Sequence, residues 1–442
     1  MTEWDDAEQR AEKAHEFYER GRWEEALSEL RAAIAINPYN GSWYFNLGLT
    51  LDMMDRVDEA LEAYRRALEM EPEDVEILNN LGIDCTRSGR FDDAIGFFKR
   101  IEAIDPSFEP CYCNQIIAYA EKGQHELAEQ MFYQARQYKE TCPTCLYNMG
   151  NSLYSRGLYD RALWCWQQVL EHEPDHPQVH ARIAEAYWAK GQRGAARQHL
   201  IEEIRSNPGD LDTLLDLGEL MLEMGQHEAA AEKFRQVLEL APDQPTAHFH
   251  LAQLAMARHD LDVALGGFRR VLRGDPSFQA AHLQMAVVFH KKGDRPAALY
   301  HASCELAQQL DEPTLVSLGN LFLDLQQLPN AEVAFRRALQ RNGDNATARH
   351  NLAVALLLAR RIDEGIEQCK LALKSQPGYM LAMHNLTLAY MTRRDYARAR
   401  YWLSKALEQA PDDPQLKGLQ SRLRLKIFWQ TLRRLVGKRT KR

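Results

Sequence analysis

The residues of this chain best suited to binding chemistry are asparagines. Asn46, Asn80, Asn114 and Asn148 recur 34 residues apart, and the same slot returns as Asn351 and Asn385. A carboxamide carries donors and an acceptor together, so a row of them matches the peptide unit of a bound chain whatever its side chains are. Asparagine is a mediocre helix former, so its repeated use at one slot asks for a reason beyond helix stability. The plainer alternative is that each amide bonds only to the unit before it.

A second cluster is sulfur. Cys111-Tyr-Cys113 and Cys142-Pro-Thr-Cys145 are two close thiol pairs, and tetrahedral four-sulfur zinc sites use paired spacings of this kind. Against that reading, residues i and i+2 of a regular helix point about 200° apart, so C-x-C chelates poorly there. We therefore expect small buried thiols, no resident metal and no cofactor, with zinc or redox-active thiols as the alternative. His172, His176 and His180 are spaced by four, but Pro174 and Pro177 interrupt the segment, which predicts a solvated turn. His248 and His282 hold equivalent positions in adjacent repeats, which partial burial explains as well as metal ligation does. No phosphate-binding loop, dinucleotide fingerprint, H-E-x-x-H or nucleophile elbow is present. The expectation is that the protein is not an enzyme and has no catalytic residues.

These residues sit on a periodic scaffold. The stretch 41–74, GSWYFNLGLTLDMMDRVDEALEAYRRALEMEPED, reads as two amphipathic helices joined by a tight turn. Tyr44, Leu47, Gly48 and Leu51 share one face of the first helix. Ala60, Leu61, Tyr64, Ala67 and Leu68 share one face of the second. Pro72 stops it. Shifted by 34, the pattern returns: Ala26, Ala60, Ala94, Ala128, Ala162, Ala196, Ala230, Ala264 and Ala298, then Ala331 and Ala399. The small residue of the first helix recurs as Gly48, Gly82, Gly150, Gly218 and Gly319. The terminal proline recurs as Pro38, Pro72, Pro106, Pro174, Pro208, Pro242, Pro276, Pro377 and Pro411.

This pattern resembles the tetratricopeptide repeat family, whose signature places a large residue, Leu-Gly, an aromatic, Ala, Phe and Pro within 34 residues. The resemblance covers residues 7–413. It implies an all-α, right-handed superhelical solenoid of twelve repeats, starting at Ala7, Gly41, Val75, Glu109, Pro143, Pro177, Leu211, Pro245, Gln279, Glu312, Ala346 and Met380. The repeat at 279–311 is atypical, with 33 residues, Ala302 for the aromatic, Glu305 for a small residue and Leu310 for proline. It is a candidate joint or a neutral loop deletion, and we favour the deletion. Residues 1–6 are read as a lead-in with Asp5 or Asp6 as N-cap, and 414–442 as a capping helix (roughly Gln415–Val436) with a basic tail.

The resemblance also implies which slots face inward. Superhelical members that hold extended peptides, such as the array of O-linked N-acetylglucosamine transferase, grip the peptide backbone with an asparagine ladder. Here the ladder would be Asn46, Asn80, Asn114 and Asn148, lined by Phe45, Leu49, Asn79, Ile83, Ile117, Tyr147, Asn151 and Tyr154. In the sixth and seventh repeats the inner slots become Arg182 and the acidic Glu185, Asp212, Asp216, Glu219 and Glu223, which favour basic segments. The family's clamp for C-terminal carboxylates is not expected, because Cys113 and Ile117 stand where Lys and Asn are needed.

Net charge is −9, but residues 414–442 hold ten Lys or Arg and no Asp or Glu, so residues 1–413 carry −19. So acidic a body disfavours nucleic acid as partner. In the tail, Leu416, Leu419, Leu423 and Ile427 form the capping stripe. Leu425, Phe428, Trp429, Leu432, Leu435 and Val436 form a second apolar face, flanked by Arg422, Arg424, Lys426, Arg433 and Arg434. Apolar face and basic flanks suit an anionic membrane surface. No apolar run long enough to span a bilayer exists, the first residues lack a signal core, and the eight cysteines form no disulfide framework. We expect a cytoplasmic scaffold or adaptor whose groove binds peptide segments of other proteins, or alternatively an adaptor acting through its tail.

Overall fold

The computed structural model describes the backbone of residues 3–439 and the side chains of residues 4–430. It is helical throughout, in two compact units, residues 1–225 and 226–442. The first unit contains α1 (Glu3–Glu19), α2 (Trp23–Ile36), α3 (Gly41–Met53), α4 (Val57–Met70), α5 (Val75–Arg87), α6 (Phe91–Ile104), α7 (Glu109–Glu121), α8 (His125–Tyr138), α9 (Pro143–Ser155), α10 (Tyr159–His172), α11 (Val179–Ala189), α12 (Arg193–Ser206) and α13 (Leu211–Glu223). The second contains α14 (His227–Leu240), α15 (Pro245–Ala257), α16 (Leu261–Gly274), α17 (Ala281–Lys291), α18 (Arg295–Leu306), α19 (Glu312–Asp324), α20 (Leu328–Arg341), α21 (Ala346–Leu358), α22 (Ile362–Ser375), α23 (Met380–Thr392), α24 (Tyr396–Gln409) and α25 (Pro414–Arg439). Within each unit, hairpin partners such as α3 and α4 or α15 and α16 pack side by side, and each hairpin packs on the next. The first helix begins at Glu3, earlier than the expected cap at Asp5 or Asp6, and Ala7 is its first fully buried residue.

Three local rules build each hairpin. First-helix starts are capped where the sequence offers a short polar side chain: Asp74 accepts from the Glu76 and Ile77 amides at 2.8 and 3.0 Å, and Asn345 from Ala348 at 2.7 Å. The turn inside the hairpin needs a left-handed residue, supplied by glycine at Gly89 or Gly157 and by other residues at Asp55, His259, Gln326, Arg360 and Arg394. The crossing point needs a small residue opposite a ring. A β-carbon on Gly48, Gly82, Gly150 or Gly319 would land on Tyr64, Phe98, Trp166 or Phe335, all fully buried. The recurring alanines are buried too, from Ala26 to Ala399.

The atypical repeat departs from these rules in its second helix. α18 has 12 residues where α16 and α20 have 14. The missing residue falls in the segment after α18, where Leu310 is buried in place of proline. Glu305 does not disorder the packing. It is 0 % exposed, and its carboxylate accepts from the Ala280 and Leu283 amides at 2.9 and 3.0 Å, capping α17 across the hairpin. The first unit repeats the device. Glu203 accepts from Gln178 and Ala181 at 3.1 and 3.2 Å. Gln178 and Ala280 both adopt left-handed φ, 67° and 65°, and α11 and α17 are both 11 residues long.

α25 packs on α24. Leu416, Leu419 and Leu423 are buried and Ile427 is half-buried, as the capping stripe requires. Leu425, Phe428 and Trp429 are 58 %, 57 % and 53 % exposed on the other side. Arg433 and Arg434 lie outside the residues whose side chains are described.

Candidate functional site

The asparagine slots fall on the first helices α3, α5, α7 and α9 of the first unit. Asn46 is exposed. Asn80 donates to the Glu76 carbonyl of its own helix at 2.9 Å. Asn114 donates to Asn79 Oδ1 at 2.9 Å and Asn148 to the Cys113 carbonyl at 3.4 Å, each reaching back to the preceding first helix. Each of these three bonds uses one donor of a group that has two donors and an acceptor. Asn114 and Asn148 therefore tie rungs together, a use the sequence offered only as the plainer alternative, while Asn80 bonds within its own helix.

The remaining inner slots divide by environment. Phe45, Leu49, Ile83 and Ile117 are half-buried. Phe45 lies against the Tyr64 ring at 5.7 Å. Leu49 and Asn46 line a cavity of about 250 Å³ together with His15, Tyr18 and Leu30. Tyr147 donates to Gln178 Oε1 at 3.4 Å and stacks on His176. Tyr154 packs on Tyr159 and Trp166. Asn151 is half-buried, and its Oδ1 is buried without a hydrogen-bond partner.

The acidic slots form a real electrostatic cluster on α11 and α13. Asp216 is held up at about 6, first by burial and then by Glu185, Glu219 and Asp212. Arg182 pairs with Glu185 at 3.0 Å. Glu223 is engaged separately, with Arg193 at 2.9 Å and Trp188 Nε1 at 3.0 Å, and those bonds hold its carboxyl below the usual range. Glu223 thus belongs to a surface ion pair, and the acidic face is Glu185, Asp212, Asp216 and Glu219.

The histidines do not form the four-spaced stripe. His176 meets the Pro177 carbonyl at 2.9 Å, and His180 pairs with His199 through their Nδ1 atoms at 2.9 Å. His282 and His301 make the same pair at 2.8 Å. Burial lowers His199, and it lowers His301 to about 4. His248 is satisfied by the Pro242 carbonyl at 2.8 Å. Sequence reasoning missed His199, His301 and Glu203. The available signal was Glu203 itself, in a slot that holds Ala67, Ile101, Ala135, Val169 and Val237 elsewhere.

The cysteine pairs are redistributed. Cys113, Cys142 and Cys145 come together with Glu109, while Cys111 is buried apart from them, beside Gln115 and Glu102. Cys113 and Cys145 stand at disulfide-bonding distance, with Cα atoms 4.9 Å apart. Burial and Glu109 push the Cys142 thiol up to about 11.

Antiparallel helix pairs with small-to-aromatic crossings, stacked rung on rung, define a helical repeat scaffold. Models described as tetratricopeptide repeat match residues 54–107, 215–277, 316–380 and 372–414, and one described as TPR repeat matches 14–55 and 150–191, so the chain belongs to the tetratricopeptide repeat family. Repeat arrays of this family generally mediate protein–protein interaction and scaffolding. The TPR repeat-containing thioredoxin TTL4 of Arabidopsis thaliana is 27% identical over 121 residues, 27% of this chain and 18% of that protein. The chain therefore spans less than a fifth of that relative's length. Among solved structures, a tetratricopeptide repeat protein from Parabacteroides merdae is 20% identical with TM-score 0.48, over 57% of this chain and 99% of that one. Yeast Tom70 is 13% identical with TM-score 0.41, over 98% and 99%. Among the described residues, no helix is long and apolar enough to cross a membrane.

Proposed function

We propose that the chain is a non-enzymatic scaffold that holds an extended peptide segment of a partner protein along the first helices of its first unit. The observation that carries this reading is the ordered change of chemistry from α3 to α13. The cavity beside Asn46 and Leu49 offers an apolar side chain a seat at one end. Asn80, Asn114 and Asn148 follow, each with hydrogen-bonding capacity beyond the bond it makes to the scaffold. Glu185, Asp212, Asp216 and Glu219 end the series, and the Asp216 carboxyl is raised first by burial and then by the surplus of negative charge that Glu185, Glu219 and Asp212 place around it. A segment with an apolar anchor and a later Lys or Arg is the matching ligand, since a basic side chain relieves that surplus.

The test is selection from a random peptide display library with the full chain, set beside a variant carrying Asn80→Ala, Asn114→Ala and Asn148→Ala. The expected result is enrichment of peptides with an apolar residue followed by Lys or Arg, lost in the variant. Equal enrichment by both proteins would contradict the ladder, and no enrichment would contradict the groove.

A second reading rests on α25, where Leu425, Phe428 and Trp429 are exposed beside the basic Arg422, Arg424 and Lys426. Such a face suits an anionic bilayer surface. Flotation with anionic and neutral vesicles, comparing the full chain with one ending at Asp413, decides it. Binding to anionic vesicles that weakens with salt and vanishes with the tail supports the reading; no flotation at low salt ends it.

A further inference from the structure

We propose that Glu109, Cys113, Cys142 and Cys145 form a structural zinc site that clasps the α7 rung to the α9 rung. One donor atom from each of the four lies within 4.8 Å of all the others. Tetrahedral ligands at zinc–sulfur and zinc–oxygen distances stand about 3.3–3.8 Å apart, and Cys113 Sγ lies 3.5 Å from Cys142 Sγ and 3.8 Å from Glu109 Oε1. Cys142 Sγ also touches Glu109 Oε1.

The backbone reasons for this convergence are specific. Glu109 and Cys113 are one helical turn apart, so they share a face of α7. Cys142 is the N-cap of α9, where α3, α5, α13, α19 and α21 have Asn or Asp, and its sulfur accepts the Cys145 amide at 3.2 Å. Pro143 fixes the first helical position. That cap bond is the amide-to-sulfur contact that steadies a metal-bound thiolate. The other oxygen of Glu109 is held by Lys139 at 3.1 Å, an outer partner of the kind that orients a ligating carboxylate. All three sulfurs are buried, and Glu109 sits at the rim, where an ion can enter.

Four protein donors close the coordination shell, which marks a structural rather than a catalytic site. The segment between Tyr138 and Pro143 has Glu140 where the repeats place proline, so the ion would fix a connection that proline fixes elsewhere. In the disulfide form, a thiol or phosphine reductant supplies the two electrons that open the Cys113–Cys145 bond. Zinc then takes three thiolates and one carboxylate, and three thiol protons go to solvent.

The experiment uses the full chain under a phosphine reductant, loaded with Zn²⁺ alone and, separately, with Co²⁺ alone. The expected results are one ion per chain by mass spectrometry and, for cobalt, the thiolate charge-transfer and intense visible bands of a tetrahedral site. Cys142→Ser and Cys145→Ser should abolish both, while Cys111→Ser keeps both. Circular dichroism on each variant separates ligand loss from unfolding, and Glu109→Gln, which keeps all the sulfurs, should weaken zinc at least tenfold. A wild-type chain that stays metal-free with its thiols fully titratable would overturn the site. So would loss of the ion in Cys111→Ser, or a Cys113–Cys145 disulfide that survives the reductant.

Discussion

The two units share a scaffold and differ in what they write on it. Both contain a buried glutamate that caps a short first helix from the second helix of its own hairpin, Glu203 on α12 and Glu305 on α18. Both contain a histidine pair beside it. The face that follows the asparagine slot differs. In the first unit it runs Asn46, Asn80, Asn114, Asn148, Arg182, Asp216, while in the second it runs His250, Gln284, Ser317, Asn351, Asn385. Asn351 donates to Asn320 at 2.7 Å and Asn385 meets His350 at 3.3 Å, so the rung-to-rung use of the amide occurs in both. The carboxylate cluster occurs in the first. A repeat fold fixes which helix face is presented, and the substitutions on that face then decide which unit carries a cluster of carboxylates.

The largest effect should come from the shared device. Glu203→Ala and Glu305→Ala each leave two helix-start amides without their carboxylate acceptor, and each should cost about 2–4 kcal/mol in chemical denaturation. Glutamine at either position retains an acceptor and should recover part of it. If Glu305→Ala is neutral while Glu203→Ala is not, the two repeats are not twins. The next effect concerns the difference. Asp216→Asn with Glu219→Gln should weaken a Lys-containing peptide about tenfold in fluorescence anisotropy and flatten the salt dependence. His250→Asn in the second unit should change nothing. A smaller loss is expected on the ladder: Asn80→Ala with Asn114→Ala should each cost about 0.5–1.5 kcal/mol of peptide affinity. A fall in thermal stability larger than the fall in affinity would make these amides purely structural.

A separate effect is on pH dependence, and it has opposite sign at two positions. Asp216 keeps its proton up to about 6 in the folded chain, against an ordinary 3.8. Between those values the unfolded chain is ionised and the folded one is not, so its contribution falls as pH rises through that window. His301 refuses a proton down to about 4, against an ordinary 6.5. Its contribution falls as pH drops from 6.5 to 4. Burial is the main cause, and His282 and Arg269 add to it. Hydrogen exchange followed separately in α13 and α18 should show these opposite slopes, flattened by Asp216→Asn and His301→Phe respectively.

The helices were legible because their signals are redundant. Each hairpin announces itself by an alanine, a small residue against a ring and a stop, and no single exception such as Ala302 obscures the period. The site was legible only in part. The Asn and acidic slots could be found by register, but register does not say that Asn114 spends a donor on Asn79, or that Glu223 is engaged by Arg193. Glu305 looked like a defect because its partners are backbone amides exposed by a left-handed Ala280, a conformation that alanine does not advertise. The thiols were paired by proximity in sequence. Helix geometry instead turns Cys111 away and brings in Glu109, one turn before Cys113.

The most direct test of the account is where a bound peptide lies. A display-selected peptide carrying a photoreactive group near its basic residue should be cross-linked to the full chain and mapped by mass spectrometry. The account predicts attachment on α11 and α13, around Glu185, Asp212, Asp216 and Glu219, with competition by unlabelled peptide. Attachment concentrated on α15–α25, or on the second helices α4, α6, α8 and α10, would contradict it.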